Sequence, residues 1–224
     1  MRDAARPTST SERATVRRLP DRAVYERAAI DAILDEGLVA HVAVTDGDGP
    51  IVIPMSYGRS GDRLFLHGLP ASRLLRAVAD GRPVSVGVTI IDGLVLAKSV
   101  FHHSVNYRSV VVFGTGRLLR GRTEKLEALR VITEHIVPGR WEDARGPSES
   151  ELKQTAVVEI RLDACSAKVR TGPPKDDPED ADLAVWAGVV PLSLDAGAPV
   201  AADPTTVLPT PPYARAYRRP HGRA

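Results

Sequence analysis

The chain has 224 residues, 43% of them hydrophobic and 26% charged, which suits one folded core and excludes a wholly disordered chain. No apolar run approaches the roughly 20 residues of a membrane helix, and the Arg-rich N-terminus lacks the apolar stretch of a secretory leader. A single cysteine, Cys165, excludes an internal disulfide and a multi-cysteine zinc site. It fits a cytoplasmic protein and reads as an ordinary buried thiol. The net charge of +2 hides a split: +3 over residues 1–22, +4 over the last twelve, and −5 between them. Positive charge confined to the ends does not build a nucleic-acid groove on the folded part, so neither nucleic acid nor membrane is expected as a partner.

In chain order, residues 1–20 read as a disordered lead-in of Arg, Pro, Ser and Thr. Val24, Ala28, Ile33 and Leu34 recur at helical spacing over 21–36, and Gly37 supplies a stop. Residues 38–45 and 50–57 then form a hairpin across Asp46-Gly47-Asp48-Gly49, followed by a strand over 63–67. A short helix over 71–79 carries Leu74, Leu75 and Val78 on one side. Strands at 83–91 and 94–99 flank a turn at Asp92-Gly93, and a long strand covers 107–119. The spacing of Leu126, Leu129, Ile132 and Ile136 predicts a helix over 123–137, and Ser148 with Glu151 has the form of a capping box. Strands at 155–162 and 166–170 follow, then a Pro-rich tail with one apolar island at 185–192. About seven strands with hairpin connections predict a mostly β fold, an antiparallel barrel with peripheral helices.

Two segments are rich in chemistry. At His67-Gly68-Leu69-Pro70-Ala71-Ser72-Arg73 a strand runs into a helix whose free N–H groups, with the Ser72 hydroxyl and the Arg73 fork, suit an anion. The bland alternative is that Ser72 caps the helix and Arg73 lies in solvent. The second segment, FHHSVNYRS (101–109), packs two histidines, Asn106, Tyr107, Arg108 and Ser109 ahead of a valine run. Adjacent histidines in a strand face opposite ways, so no metal site is expected. No P-loop, Gly-x-Gly-x-x-Gly or Gly-x-Ser-x-Gly motif is present, and Gly114-Thr115-Gly116 reads as a bend within a strand.

Taken together, HHSVNYRSVVVFG (102–114), LFLHGLPASRLLRA (64–77), SAKVRTGPP (166–174) and VWAGVVPL (185–192) resemble the pyridoxamine 5'-phosphate oxidase-like flavoproteins, in the branch of the nitroimidazole-resistance proteins. The resemblance covers about residues 20–192, so 21–192 is expected as the FMN-binding domain and 193–224 as a Pro-rich, basic C-terminal arm. It implies a split β-barrel, antiparallel and Greek-key-like, that forms a homodimer with FMN between the subunits. It places Gly68, Ser72 and Arg73 at the phosphate. It lays the ring along Ile53, Pro54, Met55, Ser56 and Tyr57, with His67 nearby. Asn106, Tyr107, Arg108, Ser109 and Val110 would reach the flavin, and Trp141 would come across from the second subunit. The Arg and His set with which true pyridoxamine phosphate oxidases grip their substrate is not seen, so vitamin B6 oxidation is not expected.

The implied activity is an NAD(P)H-dependent oxidoreduction of a small nitroaromatic or quinone-like acceptor, with His67 and Tyr107 as the catalytic candidates. The alternatives are a non-catalytic flavin carrier or sensor, or a split barrel holding deazaflavin or haem; for haem, His67, His102 and His103 are all available and nothing in the sequence selects one.

Overall fold

The computed structural model describes residues 11–203 and 208–220. Nine antiparallel strands carry the fold: β1 (Ala23–Val24), β2 (Val39–Asp46), β3 (Gly49–Ser60), β4 (Arg63–Gly68), β5 (Pro83–Leu96), β6 (Ser104–Leu118), β7 (Ala156–Arg161), β8 (Ala164–Arg170) and β9 (Gly188–Pro191). The ladder β6–β7–β4–β3–β2–β5 returns to β6, so six strands close a ring. The closure comes from two strands that change partner along their length. β3 pairs with β2 through residues 49–56 and with β4 through 57–60. β6 holds β5 on one edge, and on the other β8 up to Phe113 and β7 from Gly116. Closing the sheet leaves few raw edges, and β1, β8 and β9 cover stretches that the ring leaves open.

Alternation sets the inside of the barrel. Ala40, Val42 and Val44 of β2, Leu64 and Leu66 of β4, Val84, Val86 and Val88 of β5 and Val110 and Val112 of β6 are all buried in one cluster. The helices α1 (Arg27–Glu36) and α2 (Arg73–Ala79) add Ile30, Ile33 and Leu34, and Leu74, Leu75 and Val78, to it. A third helix, α3 (Arg122–Ile136), lies outside the ring and builds a second cluster from Ala128, Ile132, Phe65, Leu119 and Val157. Leu126 and Leu129 sit at its margins, so the helix buries a narrower stripe than the spacing predicts. Two short helices follow, α4 (Arg140–Asp143) and α5 (Glu149–Lys153), and the capping box expected at Ser148 is formed. Cys165 is a buried thiol pushed up to about 11 by burial, and its Sγ donates to the Leu162 carbonyl at 3.5 Å. No described helix is long and apolar enough to cross a membrane.

Three expectations change. Asp92-Gly93 is not a turn but a bulge inside one continuous strand, because β6 and β9 pair on its two sides and Arg108 holds the Asp92 carboxylate in place. The helix over 21–36 begins only at Arg27; Pro20–Arg22 forms a 3-10 turn, and Ala23–Val24 adds a strand to β8. Residues 1–10 lie outside the described residues. Residues 11–20, expected as a disordered lead-in, rest on the sheet: Ala14 is 2% exposed, Arg13 stacks on Phe113 at 5.0 Å, and Lys168 Nζ donates to the Arg18 carbonyl at 2.8 Å. The C-terminal arm also returns to the body through Arg219. That guanidinium donates to the carbonyls of Asp35, Glu36 and Gly37 at the end of α1 and of His135 at the end of α3. A cation at two helix C-termini satisfies carbonyls that the helices leave unpaired.

Candidate functional site

The outer face of β2, β3 and β5 is an exposed wall of the barrel. Register puts Ile51, Ile53 and Met55 on the same face as Val44, Val42 and Ala40, where Ile53 nonetheless stays 37% exposed, and leaves Val52, Pro54 and Ser56 on the opposite face beside His41 and Val39. On β5 the outward positions are Ser85, Gly87, Thr89 and Ile91. Gly87 sits mid-sheet between His41 and Val111, and a Cβ there would meet nothing nearer than the His41 carbonyl at 4.0 Å. The chain's own packing therefore does not require a glycine at this point, and the bare backbone leaves a flat bed for a neighbour. A cavity of about 390 Å³ opens on this wall, bounded by Val39, His41, Thr89, Ile91, Leu194 and Arg219.

Glu36, Asp92 and Arg108 border that cavity as a closed ionic set. Arg108 donates to Glu36 through Nη1 at 2.5 Å and Nη2 at 2.8 Å, and to Asp92 through Nε at 2.9 Å and Nη2 at 2.6 Å. These hydrogen bonds hold the guanidinium above its ordinary range. Both edges of the fork are occupied by carboxylates, so Arg108 anchors α1 to the sheet and is not free to take up an anion.

The expected site residues fall into three places. Tyr57 and Val110 face the core. Tyr57 is 0% exposed, its hydroxyl donates to the Leu34 carbonyl, and its ring packs on His135 at 4.6 Å; burial raises its pKa. Their side chains are barrel interior and no part of the outer wall. Ser72 caps α2, its Oγ accepting from Leu75 N at 3.4 Å, and Arg73 lies half-exposed with Nη2 2.5 Å from Asp46 and 3.6 Å from Asp48. The Asp46 bonds use only Nε and Nη2, which leaves Nη1 without an acceptor among the described residues. At the other end of the barrel, Asn106 Nδ2 donates to the Gly172 carbonyl at 3.1 Å, Ser109 Oγ to the Lys168 carbonyl at 3.3 Å, and Tyr107 stands outward between Ile91 and Arg170. Trp141, in α4, is partly buried with its backbone N–H on Glu134.

One chain does not bring the last two groups together. Arg82 donates to the Thr45 carbonyl, which sets the Arg73–Asp46 pair level with the start of β5. Ser109 is opposite Thr89 and Asn106 opposite Gly93. At about 3.3 Å per residue these lie roughly 20–33 Å further along the strand.

The histidines separate on their partners. His102 is bonded to Asp177 at 2.9 Å, His103 to the Ser99 carbonyl at 2.9 Å and His135 to the Gly37 carbonyl at 2.8 Å. His67, on the Phe65 face of β4 opposite Val157, has a buried Nδ1 with no partner among the described residues. Burial lowers its pKa, so the ring is neutral at pH 7 and keeps a lone pair. Its neighbour Gly68 packs closely on Leu75. No group of three potential metal ligands occurs among the described residues. The alternation of β2 was enough to place His41 outward; nothing in the tail marked Arg219, whose role depends on a contact made 183 residues away.

The family model for pyridoxamine 5'-phosphate oxidase matches residues 26–169. The structure of the flavocytochrome Anf3 from Azotobacter vinelandii is 35% identical over 95% of this chain and 100% of its own, with a TM-score of 0.87. The FAD and heme binding protein from Mycobacterium smegmatis is 36% identical over 87% of this chain and 96% of its own, with a TM-score of 0.82. A structure from Bacteroides thetaiotaomicron, named for 5-nitroimidazole antibiotic resistance, is 24% identical over 66% of this chain and 86% of its own, with a TM-score of 0.53, and shares the fold. No curated protein matches the chain.

Proposed function

The chain belongs to the pyridoxamine 5'-phosphate oxidase-like family, and from that premise we propose that it is a flavin-binding redox protein that works as a homodimer and also carries haem. The observation that carries the flavin reading is the bare outer wall around Gly87, a bed that no side chain fills among the described residues. Val39, Val52 and Pro54 offer it apolar surface, and Arg73 keeps unpaired N–H groups for a phosphate. The separation of Arg73 from the Asn106–Ser109 cluster supports the dimer, because a second copy can supply the distant half of a site that one chain leaves incomplete. FAD is favoured over the FMN implied by the sequence motifs, since FAD is the flavin named for the 36% identical structure.

When bound, the flavin supplies the electron and hydride transfer, and the protein's part is to hold and orient it. The Gly87 wall would carry the ring, and Arg73 would hold the phosphate end. We retain a reduced nicotinamide nucleotide as electron source and a small nitroaromatic or quinone-like molecule as acceptor. The haem reading rests on His67, a neutral, half-buried imidazole whose Nδ1 has no partner among the described residues and which would hold the group through a ring nitrogen; His102, His103 and His135 each have one ring nitrogen engaged by a carboxylate or carbonyl.

An absorbance spectrum of the purified protein, before and after FAD, FMN and haemin are offered and dialysed away, tests both cofactors. Flavin bands and an intense violet haem band that survive dialysis are expected, with FAD as the flavin released on denaturation. A protein that stays colourless after all three are offered overturns the reading. His67→Ala is expected to lose the haem band while keeping the flavin. Arg73→Ala is expected to weaken flavin retention about tenfold, the scale of one charge-assisted hydrogen bond. Unchanged flavin affinity in that variant removes the phosphate assignment.

A further inference from the structure

A second cavity, of about 600 Å³, opens at the end of β6 remote from Arg73. Arg170, only 9% exposed, forms part of its wall. Its Nη1 donates to Asn106 Oδ1 and, at 3.3 Å, to the Gly172 carbonyl, and its Nη2 donates to the Pro173 carbonyl at 3.3 Å. All three acceptors are neutral, and no carboxylate pairs with Arg170 among the described residues. Two of its five N–H groups are left without an acceptor there. Burial, and after it the charge of Arg22, hold its pKa below the ordinary arginine range.

Arg22 and Lys175 face the same cavity, and neither has an ion-pair partner among the described residues. Asp21 is the only carboxylate in the wall. His102, also in the wall, is engaged by Asp177, whose charge raises its pKa, while His103 is bonded to the Ser99 carbonyl. A buried cation without a counter-charge is costly, and three cations turned to one cavity make a place that an anion would stabilise. The contrast with Arg108 is direct, since that guanidinium is saturated by two carboxylates of its own chain. The cavity is also far larger than an inorganic anion and falls within the range of small-molecule sites. Phe101 stands 87% exposed at its edge, with Leu19, Val169 and Pro173 as apolar wall.

We propose that this cavity binds a phosphorylated aromatic compound of nucleotide size, its phosphate held by Arg170, Arg22 and Lys175 and its ring laid against Phe101. The cavity lies apart from the Gly87 wall but adjoins the Asn106–Ser109 cluster through the Arg170–Asn106 bond, so the flavin content of each variant is what separates the two sites.

Calorimetric titration of the full-length protein, as purified, with AMP, adenosine and inorganic phosphate tests it, with flavin content measured on every variant. AMP is expected to bind saturably, and adenosine at least about tenfold more weakly, because it lacks the charged contact. Arg22→Ala and Lys175→Ala should each weaken AMP about three- to tenfold, and Phe101→Ala should weaken AMP while leaving inorganic phosphate unchanged. Arg170→Gln should have the largest effect; because it also disturbs Asn106, the exposed-edge variants decide the matter if it fails to fold. Absence of AMP binding overturns the proposal, as does AMP affinity that is unchanged in all three exposed-edge variants. A parallel loss of flavin in those variants also overturns it, by assigning the cavity to the flavin site.

Discussion

Arg108→Met is expected to destabilise the protein by about 3–5 kcal/mol, the scale for removing one partner of a buried ion pair. The side chains of Arg108 and Glu36 are 9% and 7% exposed, so the Glu36 carboxylate would be left charged, buried and without its bidentate partner. Glu36 is also the last residue of α1, where the helix dipole already disfavours negative charge. Asp92 would lose its hold on the bulge at the same time. Urea denaturation of the single variant and of Arg108→Met combined with Glu36→Leu checks this account. The double variant should recover a large part of the loss, because the charge then left without Arg108 is that of Asp92, whose side chain is 29% exposed, rather than the buried Glu36. A single variant within about 1 kcal/mol of the parent would show that the set does not anchor α1.

Gly58→Ala is expected to cost about 3 kcal/mol, at the upper end for overpacking a well-packed site. A Cβ at position 58 would lie 2.7 Å from both the Cα and N of Ile132 and 2.8 Å from the carbonyl carbon of Val131. These are backbone atoms that no rotamer change can withdraw, so α3 itself must move. Its displacement would loosen the cluster of Phe65, Leu119, Ala128, Ile132 and Val157. His67 shares that face of β4, so the haem band should weaken together with the stability. Gly47→Ala, where a Cβ would meet nothing within 4 Å, is the control and should be near neutral. Equal stability of the two variants would mean that α3 does not rest on Gly58.

Several of the outcomes were legible from residue order because they are local. The alternation in 38–45 and 83–91 marked strands with one buried face, Ser148 and Glu151 marked a helix start, and Cys165, with no activating feature beside it in sequence, is the ordinary buried thiol expected. Asp92-Gly93 misled for an equally physical reason. Asp-Gly prefers a turn in isolation, but two flanking strands and a guanidinium sixteen residues away outweigh that preference. The polar segment at 101–109 is dense in reactive side chains in the sequence, yet its members divide in the fold. Arg108 turns inward to Glu36, Asn106 turns to the 172 loop, and Ser109 and Tyr107 stay on the outer wall.

The sequence by itself determined the fold class, the strand faces and the family, because each depends on short periodicities and motif spacing that neighbouring residues carry. Only the tertiary structure decided which polar groups are fully paired and which keep an atom without a partner among the described residues. Arg73 differs from Arg108, and His67 from His102, solely in the partners that distant segments bring to them. Arg219 becomes a buried cap for two helices, and Arg170 a cation without a counter-charge, through chain closure alone. A side chain's type is local, but its electrostatic state is set by whatever is folded against it.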